Sequence, residues 1–251
     1  MAVSSSNLLH FTNSLEIIIS IINKGFYARY SKESFSHMLS YRDEKQFIYI
    51  PCVCFCDIPL NQITEHVIDY GKYALALNRE WGMKNGISPV VYSYTDCLTV
   101  QHYTNIWSNL LKVCKQHEKD PYSAKSHAVQ GFFEFNGFVK QYNGVSHKSN
   151  KEKIFYNERE WRYVPPFQLT QIETHLYHEE LVNKDDYTKN LEMFPLRFEY
   201  KDVKYILVKN EIDKNNLIQY LENNERITIE ERKHYQTNIY VYDLLEKDGL
   251  T

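Results

Sequence analysis

The sequence predicts an α+β protein. Strand-like and helix-like segments are interspersed, their connections are short, and no regular β-α-β alternation recurs along the chain. Hydrophobic residues make up 43% of the 251 and aromatics 15%, against 24% charged. That is ample apolar surface for a packed core, with too little charge imbalance for a disordered chain. With only 8 Gly and 7 Pro, long flexible linkers are not expected, and residues 1–251 are read as a single domain. The 21 Tyr suit many half-buried faces, because a tyrosine buries its ring and keeps a polar tip.

Residues 1–7 form a polar leader. Leu8 to Thr12 is a short strand, Ser14 an N-cap, and Leu15, Ile18, Ile19 and Ile22 mark the apolar face of a helix that Gly25 stops. The stretch from Tyr27 to Gln46 carries no clear period. Pro51 breaks the apolar run from Phe47, so the strand is expected from Val53 to Cys56, followed by a turn at Asp57-Ile58-Pro59. A helix over about 61–70 ends at Gly71, and Tyr73 to Leu77 and Pro89 to Tyr94 read as strands. Thr99 to Gln116 has helical spacing, with Ile106, Leu110, Leu111 and Cys114 as its stripe. Residues 126–142 fit either period, and 143–153 (NGVSHKSNKEK) are the clearest loop. Strands follow at Glu160 to Val164, Leu196 to Tyr200 and Tyr205 to Val208. A helix is expected at Lys214 to Glu222, and a last strand or helix at Asn238 to Leu245.

The formal net charge of −3 argues against a dedicated DNA binder, which is usually basic. A local basic loop can still hold phosphates. The apolar run from Leu15 to Ile22 carries Glu16 and is too short to span a bilayer, and nothing resembles a signal or transit peptide. A cytoplasmic protein is expected. Cys52, Cys54 and Cys56 alternate and so share one face of a strand. Structural zinc sites instead use ligands two to four residues apart across a turn, and no second ligand pair follows. Buried thiols are expected there and no metal.

Three blocks carry chemistry: Leu8-Leu9-His10-Phe11-Thr12-Asn13; Cys54-Phe55-Cys56-Asp57-Ile58-Pro59 with Tyr70-Gly71-Lys72-Tyr73; and Phe155-Tyr156-Asn157-Glu158-Arg159-Glu160-Trp161-Arg162-Tyr163. In this order, from Leu8 to about Val208, they resemble the ADP-ribosyltransferase superfamily. They look closest to bacterial phage-defence members, the AbiGi-type abortive-infection family and the DarT-like and CmdT-like toxins. The resemblance implies a split mixed β-sheet core with flanking helices, and NAD⁺ as substrate. It implies His10 and Glu160 as catalytic residues, with His10, Thr12, Tyr70 and Tyr73 around the dinucleotide. Glu158, two before Glu160, is a further catalytic candidate, to position or deprotonate the acceptor; Arg29 and Arg162 suit the pyrophosphate as guanidiniums, a surface ion pair being the alternative. Cys56 stands where many members carry Ser, a departure from the pattern.

The chemistry agrees with the resemblance. Breaking the nicotinamide–ribose bond builds positive charge on the sugar, which a fixed carboxylate stabilises. Glu160 is the candidate, and its bland alternative is a solvated strand residue. Trp161 and Tyr163 alternate with Glu160 and Arg162, so one strand face is apolar and the other holds a Glu–Arg pair. That pair is either a salt bridge or an anionic site beside a phosphate-binding guanidinium. For His10 the alternative is a satisfied core histidine; for Tyr70 and Tyr73, ordinary core aromatics.

In the superfamily the loop before the late Glu recognises the target. Here it carries Lys148, Lys151 and Lys153 and then Phe155 and Tyr156. Cations beside rings suit a single-stranded nucleic acid, RNA favoured over DNA, and a solvated lysine loop is the alternative. The resemblance further implies the toxin of a toxin–antitoxin system, with a neutralising antitoxin partner and no membrane role. Two other readings stay open. One is a catalytically inactive binding protein of the same fold, such as an antitoxin. The other is a metal-dependent nuclease using Asp57, Glu158 and Glu160, although Arg162 stands where a lysine is expected.

Overall fold

The computed structural model describes residues 5–34, 47–115, 130–132, 134–146, 150–166, 189 and 191–249, with the backbone alone at 111 and 113–115. The fold is mixed α+β. Among the described residues an eight-stranded sheet is flanked by helices on both faces. Its strands are β1 (Asn7–Thr12), β2 (Arg29–Ser34), β3 (Phe47–Cys56), β4 (Tyr73–Asn78), β5 (Ser88–Pro89), β10 (Glu160–Tyr163), β11 (Val203–Val208) and β12 (Ile239–Val241). They lie in the order β12-β11-β4-β1-β3-β10-β5, with β2 also on β3. Every pairing is antiparallel except β11 with β12. Two small sheets stand beside it: β6 (Val91–Ser93) parallel to β7 (Val139–Gln141), and the hairpin β8 (Asn143–Val145)–β9 (Glu152–Ile154).

The alternation of β1 and β4 decides the packing. Leu8, Leu75 and Leu77 face one side with Ile206 and Val208. There α1 (Leu15–Lys24) and the helices at Glu211–Asn223 and Ile229–Thr237 cover them. Leu9, Ala74, Ala76 and Leu207 face the other side, under the helices at Thr64–Tyr70 and Tyr242–Lys247. In chain order the helices among the described residues are α1, α2 (Thr64–Tyr70), α3 (Arg79–Lys84), α4 (Leu98–Lys115), α5 (Glu211–Asn223), α6 (Ile229–Thr237) and α7 (Tyr242–Lys247). Gly71 ends α2 at φ +104, and a Cβ there would lie 2.4 Å from the Thr12 carbonyl. Only glycine fits that approach of α2 to the end of β1.

Several expectations are corrected. β3 runs through Pro51, which pairs with Tyr30. β10 joins β3 only from Val53 and β1 only at Cys56, so at Pro51 one side of the strand has no ladder neighbour among the described residues. The expected loop 143–153 holds the paired strands β8 and β9, and its residues 147–149 lie outside the described residues. Leu196 makes only an isolated bridge with Phe26, and Tyr200–Asp202 is a 3-10 turn, so no strand forms there. On α4 Ile106 is exposed; among the described side chains Val100 and Tyr103 are the buried ones, packed on β3 and β7, and those of Leu111 and Cys114 lie outside the described residues.

Candidate functional site

β1 pairs with β4 along its whole length but with β3 at one position, Leu9↔Cys56. Beyond it the two strands part. The His10 side chain enters the gap, its Nδ1 lying 2.8 Å from the Cys54 carbonyl oxygen, so it takes the place of the missing ladder bond. A carbonyl only accepts, so Nδ1 carries the proton and Nε2 is left as an acceptor. Burial lowers the His10 pKa, which favours that neutral form. Phe26 and Phe55 hold the ring, with centroids 5.1 and 5.7 Å away.

The parting opens a cleft of about 730 Å³, a volume suited to a nucleotide-sized ligand. His10, Thr12 and Tyr70 line it together with Glu158 and Glu160. By strand parity His10 and Glu160 belong to opposite faces of the sheet; both reach this space because the sheet is open between β1 and β3.

The floor is a chain of charges. Arg162 Nε donates to Glu160 Oε1 at 2.6 Å, its Nη2 to Glu33 Oε1 at 2.5 Å, and its Nη1 to the Gly137 carbonyl at 3.0 Å. Lys140 Nζ lies 2.6 Å from both Glu160 Oε2 and Glu158 Oε2. Glu158 Oε1 accepts from Tyr70 Oη at 2.8 Å and meets Lys153 Nζ at 3.0 Å, and Lys153 also pairs with Asp69. The chain turns sharply between the two glutamates. Arg159 has φ +47, and its carbonyl accepts the Asp57 amide. That left-handed residue lets Glu158, at the end of a 3-10 turn, and Glu160, the first residue of β10, converge on one ammonium.

Burial opposes the charge on Glu160, but Arg162 and Lys140 outweigh it and hold its pKa far below the usual carboxylate range. Burial likewise raises Glu158, and Lys140 brings it below its ordinary value. Both are therefore carboxylates at neutral pH. Each oxygen of Glu160 accepts one bond from a cation among the described residues, so each keeps a lone pair for a further donor. His66 lies beside them, stacked on Tyr70 at 5.6 Å, and burial lowers its pKa to about 4.

The expected site residues separate into groups. His10, Thr12, Tyr70, Arg29, Glu158 and Glu160 line the cleft. Arg29 is exposed at its rim and paired with Glu192. Tyr73 lies elsewhere: its ring packs in the core and its hydroxyl donates to Asp213 at 2.8 Å, so it is not a cleft wall. Arg162 is wholly buried with three acceptors around it, which removes it as a phosphate contact. The polar face of β10 points inward, the reverse of a solvated pair, because Lys140 and Glu33 complete its charges. In the loop expected to meet the target, Lys148 lies outside the described residues. Lys153 is tied to Asp69 and Glu158, and Lys151 is exposed. Tyr156 is 49% exposed and joins a ladder of rings, stacked on Tyr142 at 5.7 Å and edge-on to Tyr92 at 5.3 Å. Asp57 is held by Arg79 and the Ser5 amide.

Sequence reasoning missed Lys140, Glu33, His66 and Tyr92, whose hydroxyl accepts the Glu160 amide at 2.9 Å. Lys140 stands in the short strand Val139-Lys140-Gln141, which has no period to show that its lysine points inward.

The sequence profile of a family described as abortive phage resistance protein AbiGi, antitoxin, matches residues 24–209. That span holds the whole charge chain and excludes His10 and Thr12. A curated relative, abortive phage resistance protein AbiGi of Lactococcus lactis subsp. cremoris, is 30% identical over 223 residues, 80% of this chain and 89% of the relative. No solved structure matches the chain. No helix among the described residues is long and apolar enough to cross a membrane.

Proposed function

Because this chain belongs to the AbiGi family of abortive phage resistance proteins, we propose that its cleft is the NAD⁺ site of an ADP-ribosyltransferase acting as a defence toxin. The observation that carries this reading is the meeting of His10, Thr12, Glu158 and Glu160 in one space where β1 and β3 part. The cleft's size fits a dinucleotide, and the His10 Nε2 acceptor and the spare Glu160 lone pairs fit ribose hydroxyls.

The sugar–nitrogen bond of NAD⁺ breaks with its electron pair leaving on nicotinamide, positive charge builds on the ribose, and the acceptor's atom bonds to that ribose carbon. His10 Nε2 accepts a hydrogen bond from a ribose hydroxyl and orients the sugar. Tyr70 and His66 give the neighbouring wall two flat rings. Glu160, fixed by two cations and needing no reorganisation, faces the developing charge. Glu158 is the second carboxylate within reach and receives the acceptor's proton. Lys151 and the tyrosine ladder at Tyr142 and Tyr156 suit a single-stranded nucleic acid, RNA favoured, with base stacking the larger part because Lys153 is already paired. An antitoxin protein that covers the cleft is the expected partner.

A second reading has its own support: the family description includes the word antitoxin, and both Glu160 oxygens already face cations. In that reading the fold binds a toxin and does no chemistry. Labelled NAD⁺ incubated with RNA, DNA and cell protein separates the two. The transferase reading expects a mass adduct on one of them. It also expects Glu160→Gln to lose on the order of a hundredfold in turnover while NAD⁺ binding changes far less. Wild-type protein that neither binds nor consumes NAD⁺ leaves the antitoxin reading in its place.

A further inference from the structure

The buried cation at the centre of the charge chain has a part in the cleft that its burial alone does not require. Lys140 comes from β7, outside the main sheet, yet its side chain is only 9% exposed and lines the cleft. Its ammonium touches one oxygen of each glutamate at 2.6 Å, and the Phe155 ring lies 5.1 Å from it. Arg162 serves Glu160 and Glu33, and Lys153 serves Glu158 and Asp69. Lys140 is thus the one cation, among the described residues, that joins the two glutamates.

We propose that Lys140 is the positioning residue of this cleft. Its ammonium holds Glu158 and Glu160 side by side as a doubly charged pair and leaves their remaining lone pairs turned to the ligand. The functional part of this inference rests on the reading of Glu160 as the acting carboxylate. Two like charges this close do not stay ionised without a cation between them; one takes a proton. Arg162 does not replace Lys140, because it is on the far side of Glu160 with its other bonds made to Glu33 and Gly137. The remaining groups facing the pair are Tyr70 and His66 on α2, with Asp69 reached through Lys153. Tyr92 on β6 and Cys54 and Cys56 on β3 complete the surroundings. Lys153 keeps its contact with Glu158 but shares its charge with Asp69, and Tyr70, His66, Tyr92, Cys54 and Cys56 are neutral at pH 7, so no second cation among the described residues bridges the two glutamates.

Carbon-13 carboxyl titration of the full chain, with the two signals assigned through Glu158→Gln and Glu160→Gln, tests this without NAD⁺. In the wild type both glutamates are expected to titrate below the ordinary glutamate value. In Lys140→Met, which keeps the stem and removes the charge, one of the pair should gain at least about tenfold in proton affinity, one pH unit. The double variant Lys140→Met/Glu158→Gln removes the conflict as well as the cation. It should regain thermal stability relative to the single variant, with Glu160 ionised again beside Arg162. That comparison keeps the idea testable even where Lys140→Met unfolds. Where turnover is found, Lys140→Met should lose kcat and move the acid limb of the pH profile upward, with KM for NAD⁺ little changed. Both glutamates remaining ionised in Lys140→Met, or a double variant no more stable than the single one, overturns the proposal. Absence of NAD⁺ turnover in the wild type defeats the transferase reading instead, and leaves the titration result standing.

Discussion

Replacing Arg162 with Met keeps a similar length of stem and deletes a guanidinium that is 0% exposed. At the 2.6 Å contact with Glu160, Coulomb attraction in an effective dielectric of about 20 amounts to roughly 6 kcal/mol, and a second contact links Arg162 to Glu33 at 2.5 Å. Desolvating the guanidinium takes back several kcal/mol, and truncating one partner of such a pair costs about 3–5 kcal/mol net. The Gly137 carbonyl also loses its donor, which adds about 1 kcal/mol. Arg162→Met should therefore lose roughly 4–6 kcal/mol in equilibrium denaturant unfolding at pH 7, a large part of an ordinary domain's stability. The sign of its pH response is the sharper test. In the wild type Glu160 is held below its unfolded value, so its contribution is complete above the normal carboxylate range and is lost as pH falls from that range toward the lowered folded value. In the variant Glu160 keeps Lys140 but has lost its other cation and its folded value rises, so the deficit relative to wild type should shrink on acidification. A deficit under about 1 kcal/mol, or one that does not change with pH, would refute the view that this chain of charges holds the cleft floor together.

Three further outcomes are expected. His66 is held near pKa 4, below its ordinary 6.5, so its contribution is complete above pH 6.5 and declines as pH falls toward 4. Melting curves over that window should show a loss of roughly 3 kcal/mol that His66→Phe largely removes; an unchanged slope in the variant shows that other groups titrate there. Gly71→Ala forces a Cβ to 2.4 Å from the Thr12 carbonyl, so it should destabilise the fold by at least about 1–3 kcal/mol and displace the end of β1; a variant as stable as wild type contradicts that close approach. Lys153→Ala should cost stability yet leave the salt dependence of RNA binding untouched, because its ammonium is committed to Asp69 and Glu158. Lys151→Ala should instead flatten the log–log salt slope by about 0.7, and equal slopes for the two variants remove the distinction.

Local sequence was enough wherever one element's own period or cap decided the matter. The apolar spacing of α1, the glycines that end α1 and α2, and the strands at β1, β4, β10 and β11 were all legible, because the signals sit within a few residues of one another. The pairing of Glu160 with Arg162 on one face of β10 was legible for the same reason. What the sequence left open was the sign of that face. Alternation separates Glu160 and Arg162 from Trp161 and Tyr163, but a polar pair goes inward only if distant residues neutralise it. Those residues are Lys140 from β7 and Glu33 from β2, 20 and 129 positions from their partners Glu160 and Arg162. Pro51 shows the same division, since the residue is a local strand breaker and β3 runs through it where, among the described residues, one side of the strand has no ladder neighbour. The cleft itself belongs wholly to tertiary structure. His10 could be recognised as a residue worth watching, but its position between parted strands follows from a β1–β3 ladder that stops after one pair, and ladder length is set by how whole strands twist and pack, not by the residues of either strand alone.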